Sequence, residues 1–138
     1  MSNEQSFQEQ RSQTSTKLLG IVLLNILTTW LHYTDNVLSL DGYTGFAWFT
    51  PVGIIGTVAI MTPIGIIGYW LYSKGQRKIA YCLLGLYSIT SLFSLGHYFL
   101  PGALSMPARM HVSIWMDGMA GLLLVGFLGQ LIRQEGSQ

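Results

Sequence analysis

Four stretches of the chain are predominantly apolar, and in two of them the interrupting polar residues fall at helical intervals. The first opens at Leu18, yet Asn25, Thr28, Thr29, His32, Asp35 and Asn36 recur along it every three or four residues. At about 100° per residue these positions form one polar stripe, with Leu, Ile, Val and Trp on the opposite face. A helix of this kind in lipid must turn its stripe toward protein or a water-filled pocket, because polar groups facing acyl chains are costly. A related stripe, Tyr87, Thr90, Ser94 and His97, runs down the third apolar stretch within roughly an 80° arc.

The pattern predicts four transmembrane helices, at about residues 18–34, 52–72, 79–100 and 110–132, with both turns and loops short. The fold expected is an all-α integral membrane protein, an up-down bundle occupying residues 17–133. Residues 1–16, MSNEQSFQEQRSQTST, read as a mobile polar tail, and residues 134–138 as a second short one. No small-residue cleavage pattern follows the first apolar run, so it reads as a retained span. Between the first two spans, Asp41-Gly42 and Thr44-Gly45 signal turns beside Tyr43, Phe46, Trp48 and Phe49, which suits an interfacial loop.

The second span holds PVGIIG at 51–56 and PIGIIG at 63–68. Twelve residues place the copies about 120° apart on a helix, so they build no common face. Their glycines invite close helix packing, and Thr62-Pro63 predicts a kink. In the fourth span Gly118, Gly121, Gly126 and Gly129 suggest a similar packing surface.

Composition agrees with membrane residence. The 138 residues are 50% hydrophobic and 9% charged, with mean hydropathy +0.43, against roughly 25% charged in soluble domains. A net charge of +1 without a basic cluster argues against a nucleic-acid partner. The single cysteine, Cys82, supports neither a disulfide framework nor a Cys-x-x-Cys site. Charge is distributed unevenly: Arg11, Lys17, Lys74, Arg77, Lys78 and Arg133 fall on one side of the bundle, and Arg109 on the other. The positive-inside rule then puts both termini in the cytoplasm of a bacterial-type plasma membrane.

That orientation sends every histidine and every aspartate to the outer half. Spans one, three and four each bring a histidine to a similar level, and imidazole and carboxylate donors from three helices point to a divalent transition-metal site. The expected ligands are His32, His97 and His111, with Asp35 one turn from His32. Asp117, about 9 Å further in than His111, is a further ligand or the acceptor behind a ligating ring. Zinc or iron is favoured over copper, because Met106, Met110, Met116 and Met119 near this end read better as gap-filling side chains than as thioether ligands. Haem b held by two of the histidines is the alternative cofactor. The non-catalytic alternative is an accessory subunit or assembly factor of a larger membrane complex, or a homo-oligomer, whose stripes only lock helices together. No Gly-x-Ser-x-Gly elbow or His-Glu-x-x-His motif occurs. Any catalysis is therefore expected to be metal- or carboxylate-assisted, on a lipid-soluble or extracytoplasmic substrate.

Overall fold

The computed structural model describes residues 3–40 and 50–136. Four helices, α1 (Asn3–Leu38), α2 (Pro51–Ser73), α3 (Arg77–Leu92) and α4 (Ala108–Gly136), account for most of them, and 3₁₀ segments at Phe93–Phe99 and Ala103–Ser105 link α3 to α4. Each helix packs on its neighbour in sequence, and α4 closes the bundle against α1. All four apolar segments, with α3 taken through Phe99, are long and apolar enough to cross a membrane. Their outward faces match that setting, with Leu27, Ile60, Trp70, Phe93, Trp115 and Ile132 among the exposed large side chains.

The expected spans are recovered, with changes at their ends. Residues 3–16, expected as a mobile tail, continue α1 as helix. No proline interrupts this segment and its first glycine is Gly20, so helix started in the apolar span propagates outward, one hydrogen bond per added residue. α4 likewise extends through residues 134–136. α2 opens on Thr50, whose hydroxyl accepts from the Gly53 amide at 3.1 Å, and on Pro51, which loses no helical hydrogen bond at a first-turn position. Pro63, where a kink was expected, lies inside a continuous helix. The interfacial loop, including Asp41 and its aromatic neighbours, lies outside the described residues.

The third span differs most. It stops being α-helical at Leu92 and tightens into 3₁₀ geometry from Phe93 to Phe99. Two causes are visible. Hydroxyls of Thr90 and Ser94 donate to the carbonyls three residues back, Tyr87 O at 2.6 Å and Ser91 O at 2.6 Å, which draws those carbonyls away from regular α-helical pairing. Leu100 precedes Pro101 and is extended, as the proline ring requires.

Core packing rests on glycines at the α3 contacts. A Cβ on Gly65 would stand 2.9 Å from the Tyr87 ring, on Gly68 2.9 Å from Leu84, and on Gly118 2.8 Å from Leu95. On Gly121 it would meet the Ser88 carbonyl at 3.1 Å and Ser91 Cβ at 3.0 Å. Gly56, Gly126 and Gly129 would meet nothing, so only part of the glycine pattern serves packing. On the other side of α2, the Trp30 indole donates to Thr62 Oγ1 at 3.0 Å and ties it to α1.

Gly121→Val should therefore destabilise the bundle by about 1–3 kcal/mol, since backbone on α3 must shift to admit it. Gly126→Val should stay within about 0.5 kcal/mol of wild type. Thermal unfolding of the detergent-solubilised variants, compared side by side, checks the contrast.

Candidate functional site

The stripe on α1 is buried along nearly its whole length: Asn25, Thr28, Thr29, His32 and Asn36 are inside, and Asp35 is half-buried at the rim. What it meets changes along the helix. In the middle of the bundle it meets oxygen. Thr29 donates to Asp117 Oδ1 at 2.7 Å, and Thr28 reaches the same oxygen at 3.4 Å. Ser91 of α3 donates to Asn25 Oδ1 at 2.7 Å and stands 3.0 Å from the Thr29 hydroxyl. Asp117 is wholly buried. Its Oδ2, Asn25 Nδ2 and the Tyr87 hydroxyl lack hydrogen-bond partners among the described residues.

Nearer the α1 C-terminus the stripe meets nitrogen. His32 and His97 lie edge to face, with ring centroids 4.9 Å apart and planes at 89°. The 3₁₀ turn sets this meeting. At three residues per turn Ser94 and His97 eclipse one another, so their side chains share a face. His97 Nδ1 donates to the Ser94 carbonyl at 2.8 Å, which leaves Nε2 as the ring's acceptor nitrogen. The Asn36 amide nitrogen is 3.2 Å from His32 Nε2. With that amide donating, the His32 proton stands on Nδ1, a buried donor without a partner among the described residues.

These two rings line a cavity of about 370 Å³ between α1, α2 and the end of the third span. Tyr33, Ile54, Phe93 and Leu100 make its walls mainly apolar. Gly96 also lines it, and a Cβ there would meet nothing within 4 Å. Phe93, one of its lining residues, is 71% exposed on the outside of the bundle.

The five expected ligands are not brought to one point. His111 turns to Tyr98, with Nδ1 3.1 Å from the hydroxyl and the rings stacked at 5.7 Å. Asp35 faces Arg109 at 3.9 Å, and that guanidinium also donates to Leu38 O at 3.3 Å and Ser39 Oγ at 3.2 Å, closing the end of α1. Asp117 belongs to the oxygen set. Among the described residues no group of three or more His, Cys, Asp or Glu stands close enough to hold a metal ion. The reason is rotational: equal depth along three helices does not put side chains on converging faces, and the 3₁₀ turn fixes which face His97 takes.

An axial haem pair would need two rings across an iron, with centroids roughly 6 Å apart. The edge-on pair at 4.9 Å does not present that arrangement.

Ser91 was not among the expected site residues, although Tyr87, Ser91 and Ser94 follow an i, i+4, i+7 spacing that marks one helical face. Gly96 and Phe93 had no sequence signal, because their importance comes from the cavity. Compared with known protein families, curated proteins and solved structures, the chain matches none of them.

Proposed function

We propose that this is a multi-pass membrane protein that binds a lipid-soluble small molecule bearing a carbonyl or hydroxyl oxygen, in the cavity walled by His32 and His97. The observation that carries the reading is the His32 Nδ1 donor, buried in a ring that lines an apolar cavity. An unmet buried donor costs about 1–3 kcal/mol, and an oxygen acceptor on a ligand offsets that cost. Pockets of this character, apolar with a few convergent polar groups, are the usual form of small-molecule sites. Phe93 lines the cavity and is exposed on the bundle exterior, which for a membrane-crossing helix is hydrocarbon, and this favours entry from the bilayer. The His97 ring, oriented by its bond to the Ser94 carbonyl, forms the facing wall, and the two rings together distinguish oxygenated lipids from plain hydrocarbon.

A second reading keeps a divalent transition metal, zinc or iron before copper, on His32 and His97 alone. Its support is the His97 Nδ1 to Ser94 carbonyl bond, the kind of contact that orients metal-ligating imidazoles. Asp35, His111 and Asp117 drop out of that ligand set on the distances above. We further place both termini in the cytoplasm, from the one-sided distribution of Lys and Arg.

Native mass spectrometry of protein purified from its own membrane tests the first reading. Wild type should retain a lipid-soluble adduct or take up decylubiquinone as a probe, and Gly96→Leu, which adds bulk at a cavity-lining position where a Cβ meets nothing within 4 Å, should do neither. Absence of any adduct or probe binding in wild type would sink it. On the metal reading, elemental analysis should find a metal that His32→Ala and His97→Ala lose and His111→Ala keeps; a metal-free wild type after reconstitution rejects it. A reporter fused after Gln138 should be active only in the cytoplasm.

A further inference from the structure

The polar first part of α1 does not stand clear of the bundle. The Ser15 hydroxyl is 3.3 Å from the Tyr69 hydroxyl of α2. Gln10, Arg11 and Thr14, neighbours on one helical face, line a second cavity of about 510 Å³ together with the α2–α3 turn and the end of α4. We infer that this cavity binds the phosphate ester of an anionic glycerophospholipid headgroup, with Arg11 and Arg77 as the side chains that hold the phosphate. It lies at the opposite end of the bundle from the histidine-walled cavity, and the inference does not rest on the reading given to that cavity.

The first step is charge. Arg11 and Arg77 line the cavity against one carboxylate, Glu135, and Lys74 and Lys78 flank its lining residues Gly75 and Arg77 in sequence. Glu135 is only loosely committed to Arg77: its Oε1 accepts from the Tyr81 hydroxyl at 2.7 Å and stands 3.6 Å from Arg77 Nε, beyond hydrogen-bond length. The guanidinium is instead held by the Tyr72 ring, with Cζ 3.6 Å from the ring centroid. Its Nη1 is buried and has no hydrogen-bond partner among the described residues. An arginine fixed in plane with its fork unmet suits an anion of several oxygens, and phosphate fits that fork with two parallel bonds. A phosphate entering the cavity draws the fork off the loose Glu135 contact and offers Nη1 an oxygen.

The second step is depth. Thr14 precedes Leu18, where the apolar run begins, by about 6 Å along the helix axis. The headgroup layer is roughly 5–8 Å deep on each side of the hydrocarbon, so the cavity stands at the level of lipid phosphates. Tyr72 and Leu131, each about one turn nearer the apolar spans than Gly75 and Gln134, give its deeper side an apolar wall for the start of the acyl chains. The third step is the kind of phosphate. Glu135 opposes a free phosphate dianion, whereas a phosphodiester carries a single charge, and its headgroup hydroxyls have Glu135, Gln10 and Thr14 as partners. The volume lies within the range of small-molecule sites, roughly 300–1,000 Å³.

Native mass spectrometry of the full-length protein in detergent, at a fixed ionic strength of about 0.15 M, tests this with phosphatidylglycerol, phosphatidylcholine and glycerol 3-phosphate as probes. Wild type should retain phosphatidylglycerol in preference to the other two. Arg77→Gln and Arg11→Gln should each weaken that binding about tenfold, the worth of a charge-assisted hydrogen bond. Lys74→Gln removes the same charge from a neighbouring residue that does not line the cavity and should stay within about twofold of wild type, and Gly96→Leu should leave the binding in place. If Arg77→Gln does not fold, Arg11→Gln, which lies outside the apolar span, must still weaken binding. Glycerol 3-phosphate bound as tightly as phosphatidylglycerol overturns the lipid source in favour of a soluble phosphate ester. Failure to bind any probe, equal retention of the two lipids, or a loss in Lys74→Gln as large as in the arginine variants overturns the site.

Discussion

The arrangement of this bundle follows from one constraint: a polar group placed among apolar side chains must find its partner within the chain. The contact between the Thr29 hydroxyl and Asp117, with Ser91 and Asn25 alongside, meets that constraint by joining α1, α3 and α4 through side chains. Each of these helices is thereby fixed in rotation as well as position, since turning any one would strand a hydroxyl or a carboxyl. α2 contributes nothing to this polar set and is held differently, by glycines that let its backbone lie close to Tyr87 and Leu84 and by the Trp30 to Thr62 bond. Shape holds one side of the bundle and hydrogen bonding the other. Tyr87 is where they meet: its ring fills the space Gly65 leaves, in a side chain that is wholly buried.

The histidine cavity owes its existence to a local failure of helix regularity. In a continuous α-helix Ser94 and His97 would stand about 60° apart around the axis; in the 3₁₀ turn they are aligned. Alignment allows the His97 ring to bond the Ser94 carbonyl directly beneath it and to present its edge to His32. A glycine at 96 leaves the adjoining space open. Tightening, alignment and open space are consequences of a hydroxyl-rich segment that ends against Pro101.

Much of this was legible in the sequence. The period of three to four residues in Asn25, Thr28, Thr29, His32 and Asn36 identified the buried face of α1, because helical spacing and burial are governed by the same rotation. Apolar run length identified the spans for an equally direct reason. Pairing between helices was another matter. His32 and His97 were expected to share a level and do meet, but His111 shares that level and faces Tyr98, since depth is written in residue number while azimuth depends on packing. Ser91 escaped notice because it stands one position off the Tyr87, Thr90, Ser94 and His97 stripe and carries no charge to mark it. Residues 3–16 show a further gap: polarity argued against packing, yet helix needs only continuity with a nucleated segment and not burial.

Nitrogen and oxygen donors are segregated along α1. His32, facing the cavity, is three residues from Thr29, about 4.5 Å along the axis. Charges at such separation interact strongly when little water lies between them. The edge-to-face imidazole pair and the hydroxyl-lined carboxyl therefore sit within one helical turn of each other on the same buried face of α1. A change of charge at either is felt at the other, so the two polar sets form one electrostatic unit built on a single helix face.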